Sequence, residues 1–246
     1  MPPSQPQFRV PSSGGPRPAF SLRAEVRQEA LSAAAAAVAA VPGAVLVETD
    51  PGPDSDLRRL TIDTDGPQTQ RQLCTLLHER LGADLMHLGE PALDIAATGK
   101  VTQRVCVAAG TDRERALLDA EADHQVIERL LLEPDSIDAY TGRRRRIALI
   151  SDASDVARLG PVPAPAVLPA LESAAVHLRR ATGLDIHPLP IAARTPSGLA
   201  AAAAALAPGF AVVCLSHTRP AHTAAVRAAL KPVGTPVVDT NEPPPT

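Results

Sequence analysis

The sequence predicts an α/β protein with two regions, each built around its own β-sheet. In the first region, short apolar runs and helical periodicity follow one another in the order βαββαβ. In the second region strands and helices alternate, which is typical of a mainly parallel sheet with helices on its faces. Both ends are rich in Pro, which predicts a disordered tail over residues 1–18 and a short tail over residues 243–246.

The first region, residues 19–93, alternates short strands with two helices. Residues 20–26 alternate between apolar and polar, which predicts a strand, and the Ala-rich residues 28–41 predict a helix that Pro42-Gly43 ends. The other predicted elements are strands over 44–48, 57–63 and 83–88 and a helix over 67–81 that Gly82 closes. This is the ferredoxin-like order, and it resembles an ACT-type domain. The turn at Val26-Arg27-Gln28 lacks the glycine that an ACT effector site usually needs, which favours a packing or dimerisation role.

The second region, residues 94–242, begins with a strongly helical stretch. Residues 113–132 predict one helix, whose apolar side chains are available for burial, and a loop follows over 135–143. The apolar run 146–150 predicts a buried strand. The remaining predicted elements are helices over 166–182, 197–206 and 222–230 and strands over 186–191, 210–215 and 236–238.

Charge and cysteine usage argue against several classes of protein. The formal net charge of −3 predicts neither a nucleic-acid binder nor a membrane-surface protein. The run Arg143–Arg146 could contact phosphates, but it precedes a buried strand, so a solvated loop that touches a partner is preferred. Three widely spaced cysteines without a CxxC indicate a reducing compartment. With no apolar leader and no long apolar run, we expect a cytoplasmic protein.

The second region resembles the malic enzyme family over residues 97–242. The residues that match the family's motifs in order and spacing are Gly99-Lys100, Pro134, Ser151-Asp152, Leu159-Gly160, Leu168-Pro169, Glu172, Gly183, Asp185, Pro188, Leu206–Phe210 and Pro236-Val237. The resemblance implies the fold of the malic enzyme N-terminal, substrate-binding domain. Members of this oxidoreductase family oxidise and decarboxylate malate with NAD(P) and Mg²⁺ or Mn²⁺.

The residues that depart from the family pattern are the chemical ones. Asp119 stands where the family has its catalytic tyrosine, and Ala174 stands where it has its catalytic lysine. The family's metal carboxylates fall near Ser216, His217 and Asn241. No G-x-G-x-x-G occurs, and the chain stops where the family's NAD-binding domain would begin. The resemblance therefore implies a pseudoenzyme, and we expect no catalytic residue, metal or cofactor.

We expect a non-catalytic binding or regulatory module. A remnant of the substrate pocket at Asp152, Arg158 and Gly160 could bind a small organic acid, with Arg158 as the carboxylate anchor. The expected partners are a second copy of the chain, or a malic enzyme in a hetero-oligomer. The alternative is residual activity as an oxaloacetate-decarboxylating malate dehydrogenase or an oxaloacetate decarboxylase, with a partner chain supplying the cofactor domain.

Two other kinds of site have less support. Cys214, His217 and His222 are residue types that bind zinc, but their spacing is irregular and a fourth ligand is not evident. Ser151-Asp152 lacks the flanking glycines of a nucleophile elbow, so hydrolase chemistry is not supported.

Overall fold

The computed structural model describes residues 15–97 and 99–240, which fall into two compact units with a boundary between residues 98 and 99. The predicted α/β class is confirmed: the first unit contains an antiparallel sheet and the second a parallel one. Most of the predicted N-terminal tail and the whole predicted C-terminal tail lie outside the described residues. None of the described helices has the length and apolar character needed to cross a membrane.

The first unit has the predicted βαββαβ order, followed by a short helix that the sequence did not predict. Its elements are β1 (Arg17–Arg27), α1 (Leu31–Ala39), β2 (Ala44–Pro51), β3 (Leu57–Thr64), α2 (Pro67–Leu81), β4 (Leu85–Gly89) and α3 (Pro91–Ala97). The strands form an antiparallel sheet in the order β2-β3-β1-β4. The likeness of this unit to an ACT domain stays a prediction.

The core of the first unit lies on one face of this sheet. Leu22 pairs with Ile62 and Ala24 pairs with Leu60 across β1 and β3, and all four side chains are buried. Because side chains alternate along a strand, these residues share one face, and the apolar sides of α1 and α2 cover it. The core is therefore a single layer of helices against a single sheet.

The boundaries of the elements follow local signals. The predicted bounds of α2 are confirmed, because Pro67 stands in its first turn and Gly82 ends it with φ +50°. β1 begins at Arg17, inside the predicted tail, and β2 continues to Pro51, three residues beyond its predicted end. The longer β2 reflects its pairing with β3, which a turn closes through the bond from Gly52 N to Leu57 O (2.9 Å).

The second unit alternates helices with four parallel strands. Its elements are α4 (Asp112–Ala116), α5 (Ala120–Leu132), α6 (Ile137–Tyr140), β5 (Arg146–Ser151), α7 (Leu168–Thr182), β6 (Asp185–Pro190), α8 (Pro196–Leu206), β7 (Val212–Leu215), α9 (Pro220–Leu230) and β8 (Val237–Asp239). The strand order is β6-β5-β7-β8. The carboxyl ends of these strands therefore meet at one edge of the sheet.

Helices cover both faces of the parallel sheet. On β5, Ala148 and Ile150 face the core that contains residues of α8 and α9. Leu149 lies between them in sequence and faces the opposite core, which contains residues of α7. A strand that is buried on both faces has a continuous apolar run, and this is why the run 146–150 predicts a buried strand.

The predicted single helix over 113–132 is wrong, because the structure divides it into α4 and α5. Asp119 interrupts it with an extended backbone (φ −82°, ψ +165°) and occupies the N-cap position of α5, which aspartate favours. The predicted burial is wrong as well: the exposed fractions of Leu117, Ile127 and Leu131 are 68%, 53% and 76%. Periodicity identifies an apolar face, but it does not say whether another element covers that face.

Candidate functional site

Buried polar side chains collect at the carboxyl edge of the parallel sheet. They come from the ends of the strands, from the residues that follow them and from the first turn of α9. These residues are Ser151, Asp152, Ser216, Thr218, His222, Thr223 and Asp239. Ligands of parallel α/β sheets bind in the crevice outside this edge. The edge is therefore the candidate functional site of the second unit.

Asp152 and His222 form a buried pair within this cluster. Oδ2 of Asp152 contacts Nδ1 of His222, and the side chains are 0% and 11% exposed. The other carboxylate oxygen, Oδ1, accepts hydrogen bonds from the backbone N (3.1 Å) and Oγ (2.7 Å) of Ser154. Both oxygens of Asp152 are therefore occupied by groups of the protein itself.

Backbone strain is concentrated in the loops at this edge. Among the described residues, the non-glycine residues with positive φ are Ala153 (+55°), Arg158 (+68°) and His217 (+53°). Left-handed backbone is unfavourable for side chains of this kind, and it persists only where the surroundings hold it. The loops that follow β5 and β7 are bonded to each other, since Asp155 N donates to His217 O (3.1 Å).

A cavity of about 350 Å³ opens beside the buried pair. Its charged lining residues are Asp155, Arg227 and Asp239, and its polar lining includes Thr218 and Thr223. Thr223 Oγ1 donates to Asp239 Oδ2 (2.9 Å), so the buried carboxylate is held against the start of α9. The volume lies in the range of sites for small molecules.

The predicted pocket residues lie in different places at this edge. Asp152 is in the buried cluster, but Arg158 is exposed and is not among the residues that line the cavity. Gly160 N donates to Val156 O (2.8 Å) and Val156 N donates to Gly160 O (3.0 Å). These two hydrogen bonds close a tight loop that contains Arg158. The arginine in the cavity is Arg227, which sequence reasoning missed. Its position one helical turn after Thr223, on a helix that follows a buried strand, was the available signal.

The two residues that the sequence resemblance assigns to the family's acid and base lie apart from the buried polar cluster. Asp119 is exposed at the start of α5, and Ala174 packs on the apolar core of α7. The fold does bring a lysine to Ser173, the residue before Ala174. Lys100 Nζ donates hydrogen bonds to Ser173 Oγ (2.8 Å) and to Pro169 O (3.2 Å). This contact spans 73 positions, so proximity in sequence could not reveal it.

The described side chains do not form a metal cage. Residues 15–97 and 99–240 contain no group of three or more His, Cys, Asp or Glu side chains placed to hold an ion. Burial, with Asp239 nearby, raises the pKa of the Cys214 thiol to about 11. The suggested zinc set of Cys214, His217 and His222 is therefore not assembled. Asn241, near which the family's last metal carboxylate falls, lies outside the described residues.

The fold is similar to solved structures of malic enzymes. It matches an NAD-dependent malic enzyme from Thermotoga maritima with a TM-score of 0.57 at 20% identity, over 62% of this chain and 41% of that one. The fold is malic-enzyme-like. The malic enzymes of Pyrococcus horikoshii (TM-score 0.54, 22% identity, 56% and 32% covered) and Entamoeba histolytica (TM-score 0.57, 16% identity, 61% and 32% covered) are also similar.

These similarities describe architecture only. The chain spans about a third to two-fifths of the length of these malic enzymes, and at such identities the likeness concerns the fold. A scan against protein-family models gives no match, and neither does a comparison with curated proteins. The function of this chain therefore depends on the residues at the carboxyl edge of its parallel sheet.

Proposed function

We propose that the chain is a non-catalytic, malic-enzyme-like binding or regulatory module, which takes a small organic acid at the carboxyl edge of its parallel sheet. The observation that carries this proposal is the pairing of Asp152 with His222 beside a cavity that contains Arg227. The buried pair and its Ser154 partners satisfy one another.

The internal hydrogen bonds support a structural role for the buried polar groups. A catalytic acid or base must lie within hydrogen-bond reach of the substrate atom with which it exchanges a proton. Both oxygens of Asp152 already have protein partners, and the ammonium of Lys100 bonds to Ser173 and Pro169. These groups hold loops and a helix start in place.

Arg227 is the proposed carboxylate anchor. A guanidinium can donate two parallel hydrogen bonds to one carboxylate, and its charge is permanent at neutral pH. Arg227 lines the cavity, whereas the surface arginine of the β5 loop, Arg158, does not. We therefore transfer to Arg227 the role that the sequence suggested for Arg158.

Isothermal titration calorimetry tests this proposal with a matched pair of variants. We expect at least one acid among malate, aspartate, pyruvate and oxaloacetate to bind the full chain at millimolar concentration. Arg227→Gln should weaken that binding at least tenfold, and Arg158→Gln should leave it unchanged. If none of these acids releases or absorbs heat, or if the two variants behave alike, the proposal fails.

Association with a second copy is part of the proposed function. The large apolar side chains exposed on α5 and in the turn before it are Leu117, Leu118, Val126, Ile127, Leu131 and Leu132. Large exposed apolar side chains that form a contiguous patch often mark a site of interaction with another protein. The alternative partner is a malic enzyme chain. Measurements of mass distinguish a complex of two copies of this chain from a complex with a malic enzyme.

A further inference from the structure

The apolar face of α5 is not covered within the described part of the chain. Among the described residues 99–240, no residue of α5, or of the flanking helices α4 and α6, is buried. Val126, Ile127 and Leu130 lie three or four positions apart, so they share one side of α5. Because a helix of 13 residues is only marginally stable without tertiary packing, we expect another surface to cover this face.

One carboxylate lies within this apolar face. Asp123 precedes Val126, Ile127 and Leu130 by three, four and seven positions, which places it on the same side of α5. Within residues 15–97 and 99–240, the carboxylate of Asp123 forms no ion pair. A partner that covered this face with apolar groups alone would bury the charge without compensation, which is costly. We therefore expect the covering surface to supply a cation.

Arginines are concentrated at the amino edge of the parallel sheet. Arg143–Arg146 end at the first residue of β5, and Arg179 and Arg180 lie in the last turn of α7. The two groups are neighbours in space, because Asp185 at the start of β6 forms ion pairs with both Arg145 (3.7 Å) and Arg179. We call these six arginines the basic edge.

Two arginines of the basic edge are available to a partner. Arg144 and Arg180 are exposed, and their side chains form no ion pair or hydrogen bond with the described residues. A guanidinium group can pair with a carboxylate, while the aliphatic stem of an arginine can cover apolar surface. The basic edge therefore provides both the cation and the apolar contact that the face of α5 lacks.

Opposite charges favour contact between these two surfaces. Residues 112–138, which contain α4, α5 and part of α6, carry nine carboxylates and three arginines. The basic edge carries six arginines. If α5 packed against α5 of a second copy, like charges would come together and two Asp123 carboxylates would enter one interface, which is unfavourable.

We propose that the chain forms a two-fold dimer in which α5 of each copy docks on the basic edge of the other copy. This inference rests on the association with a second copy that is part of the proposed function, and it specifies which two surfaces meet. The apolar face of α5 lies on the arginine stems, and the Asp123 carboxylate pairs with a guanidinium. Residues 133–142 connect the helix to the edge, so an exchange of the two helices satisfies both surfaces of both copies.

Sedimentation equilibrium of the full chain at increasing salt tests which surfaces meet. We expect the dissociation constant of the dimer to rise at least tenfold between about 0.05 M and about 0.5 M NaCl, because salt screens the attraction between opposite charges. Pairing of α5 with α5 predicts the reverse, since screening then removes a repulsion. A dissociation constant that stays constant or falls would overturn this inference and leave association with a second copy standing. A single-chain mass at every concentration would overturn both.

A double substitution in the basic edge provides a second test. Arg144→Glu/Arg180→Glu places negative charge at two exposed positions, and we expect it to weaken the dimer at least tenfold. The matched control is Arg158→Glu/Arg194→Glu, which changes the net charge equally at exposed arginines in the loops that follow β5 and β6. Circular dichroism verifies that both variants fold. Equal weakening would show that net charge controls the association, and it would overturn this inference.

Asp123→Asn tests the carboxylate within the apolar face. If a guanidinium covers Asp123, removal of the charge should weaken the dimer at least threefold. An apolar partner or a second Asp123 predicts the opposite, because the substitution then removes an uncompensated buried charge. Glu121→Gln, on the polar side of the same helix, is the control and should change the dissociation constant less than twofold. An unchanged or tighter dimer in Asp123→Asn would contradict docking on the basic edge.

Discussion

Asp152 and His222, 70 positions apart in the sequence, are in direct contact at the carboxyl edge of the parallel sheet. Asp152 follows β5 directly, and His222 lies in the first turn of α9. The contact joins the loop after the second strand of the sheet to the helix after the third. It therefore holds together two segments that line the cavity, the loop after β5 and the start of α9.

Removal of the His222 imidazole should show how much its contact with Asp152 contributes to the free energy of unfolding. His222→Ala leaves the buried Asp152 carboxylate with only its Ser154 partners, and we expect a loss of about 2 kcal/mol in the free energy of unfolding. Urea denaturation measures this loss. The control is His124→Ala, because His124 is exposed on α5 and contacts the exposed Glu128 one helical turn away. Equal stability of the two variants would contradict a structural role for His222.

The three cysteines should react with thiol reagents at different rates. Burial, with Asp239 nearby, raises the pKa of Cys214 to about 11, and burial also raises the pKa of Cys74. Cys106 is exposed. Because the thiolate is the reactive form, we expect Cys106 to be labelled first at pH 8 and Cys214 only after denaturation. Mass spectrometry of partially labelled protein identifies the order, and early labelling of Cys214 would show that it is not buried.

Asp185 should make the stability depend on pH. Its hydrogen bond from Arg179 lowers the pKa of Asp185, so folding favours the ionised carboxylate. A carboxylate with a lowered pKa contributes stability above its unfolded pKa of about 4, and this contribution disappears as pH falls through the folded pKa. We expect Asp185→Asn to lower the melting temperature at pH 7 and to match the parent at pH 2. Asp112→Asn, at a far more exposed carboxylate, is the control. A constant difference between Asp185→Asn and the parent across this range would contradict the assignment.

Gly183 should be needed for its backbone conformation. It ends α7 with φ +71°, and a methyl group placed there would meet no atom within 4 Å. Gly183→Ala therefore tests conformation without steric overlap, and we expect it to cost about 1 kcal/mol. Gly209→Ala is the matched control, because its site is equally open and its φ is not positive. Chemical denaturation measures the free energy of unfolding of both variants. Equal losses in Gly183→Ala and Gly209→Ala would contradict a requirement for left-handed backbone at Gly183.

The exposed apolar side chains of α5 should promote self-association. We expect the mass measured by light scattering to rise above the chain's 25.5 kDa as concentration increases. Leu131→Glu should restore the single-chain mass, whereas Leu93→Glu, at an exposed leucine of α3, should not. A single-chain mass at every concentration would contradict association with a second copy. Subsequent binding to an added malic enzyme would then identify the alternative partner.

Local signals explain which parts of the fold could be predicted. Pro67 and Gly82 mark both ends of α2, and the uninterrupted apolar residues of β5 indicate a strand buried on both faces. The exposure of α5 could not be predicted, since periodicity does not report what covers a helix. Asp119 could have been recognised as an N-cap, but the helical pattern on both sides of it suggested one continuous helix.

The candidate site was predicted less completely than the fold. The carboxyl edge followed from the order of strands, and Asp152 does lie there. The partners of the site come from far along the chain, because α9 supplies His222, Thr223 and Arg227. Which residues of α9 face the edge depends on the rotation of the helix against β7 and β8, and a single sequence does not encode that rotation in a readable pattern. The sequence therefore indicates Arg158 as the carboxylate anchor, although Arg227 is the arginine that lines the cavity.

A spectrophotometric assay tests whether the chain lacks malic enzyme turnover. Purified chain is mixed with Mn²⁺, malate and either NAD or NADP, and the absorbance of the reduced nicotinamide is followed over time. We predict a flat trace at any protein concentration, because the sequence resemblance assigns Asp119 and Ala174 to the family's acid and base positions. A rate that increases in proportion to the amount of this chain would contradict the account.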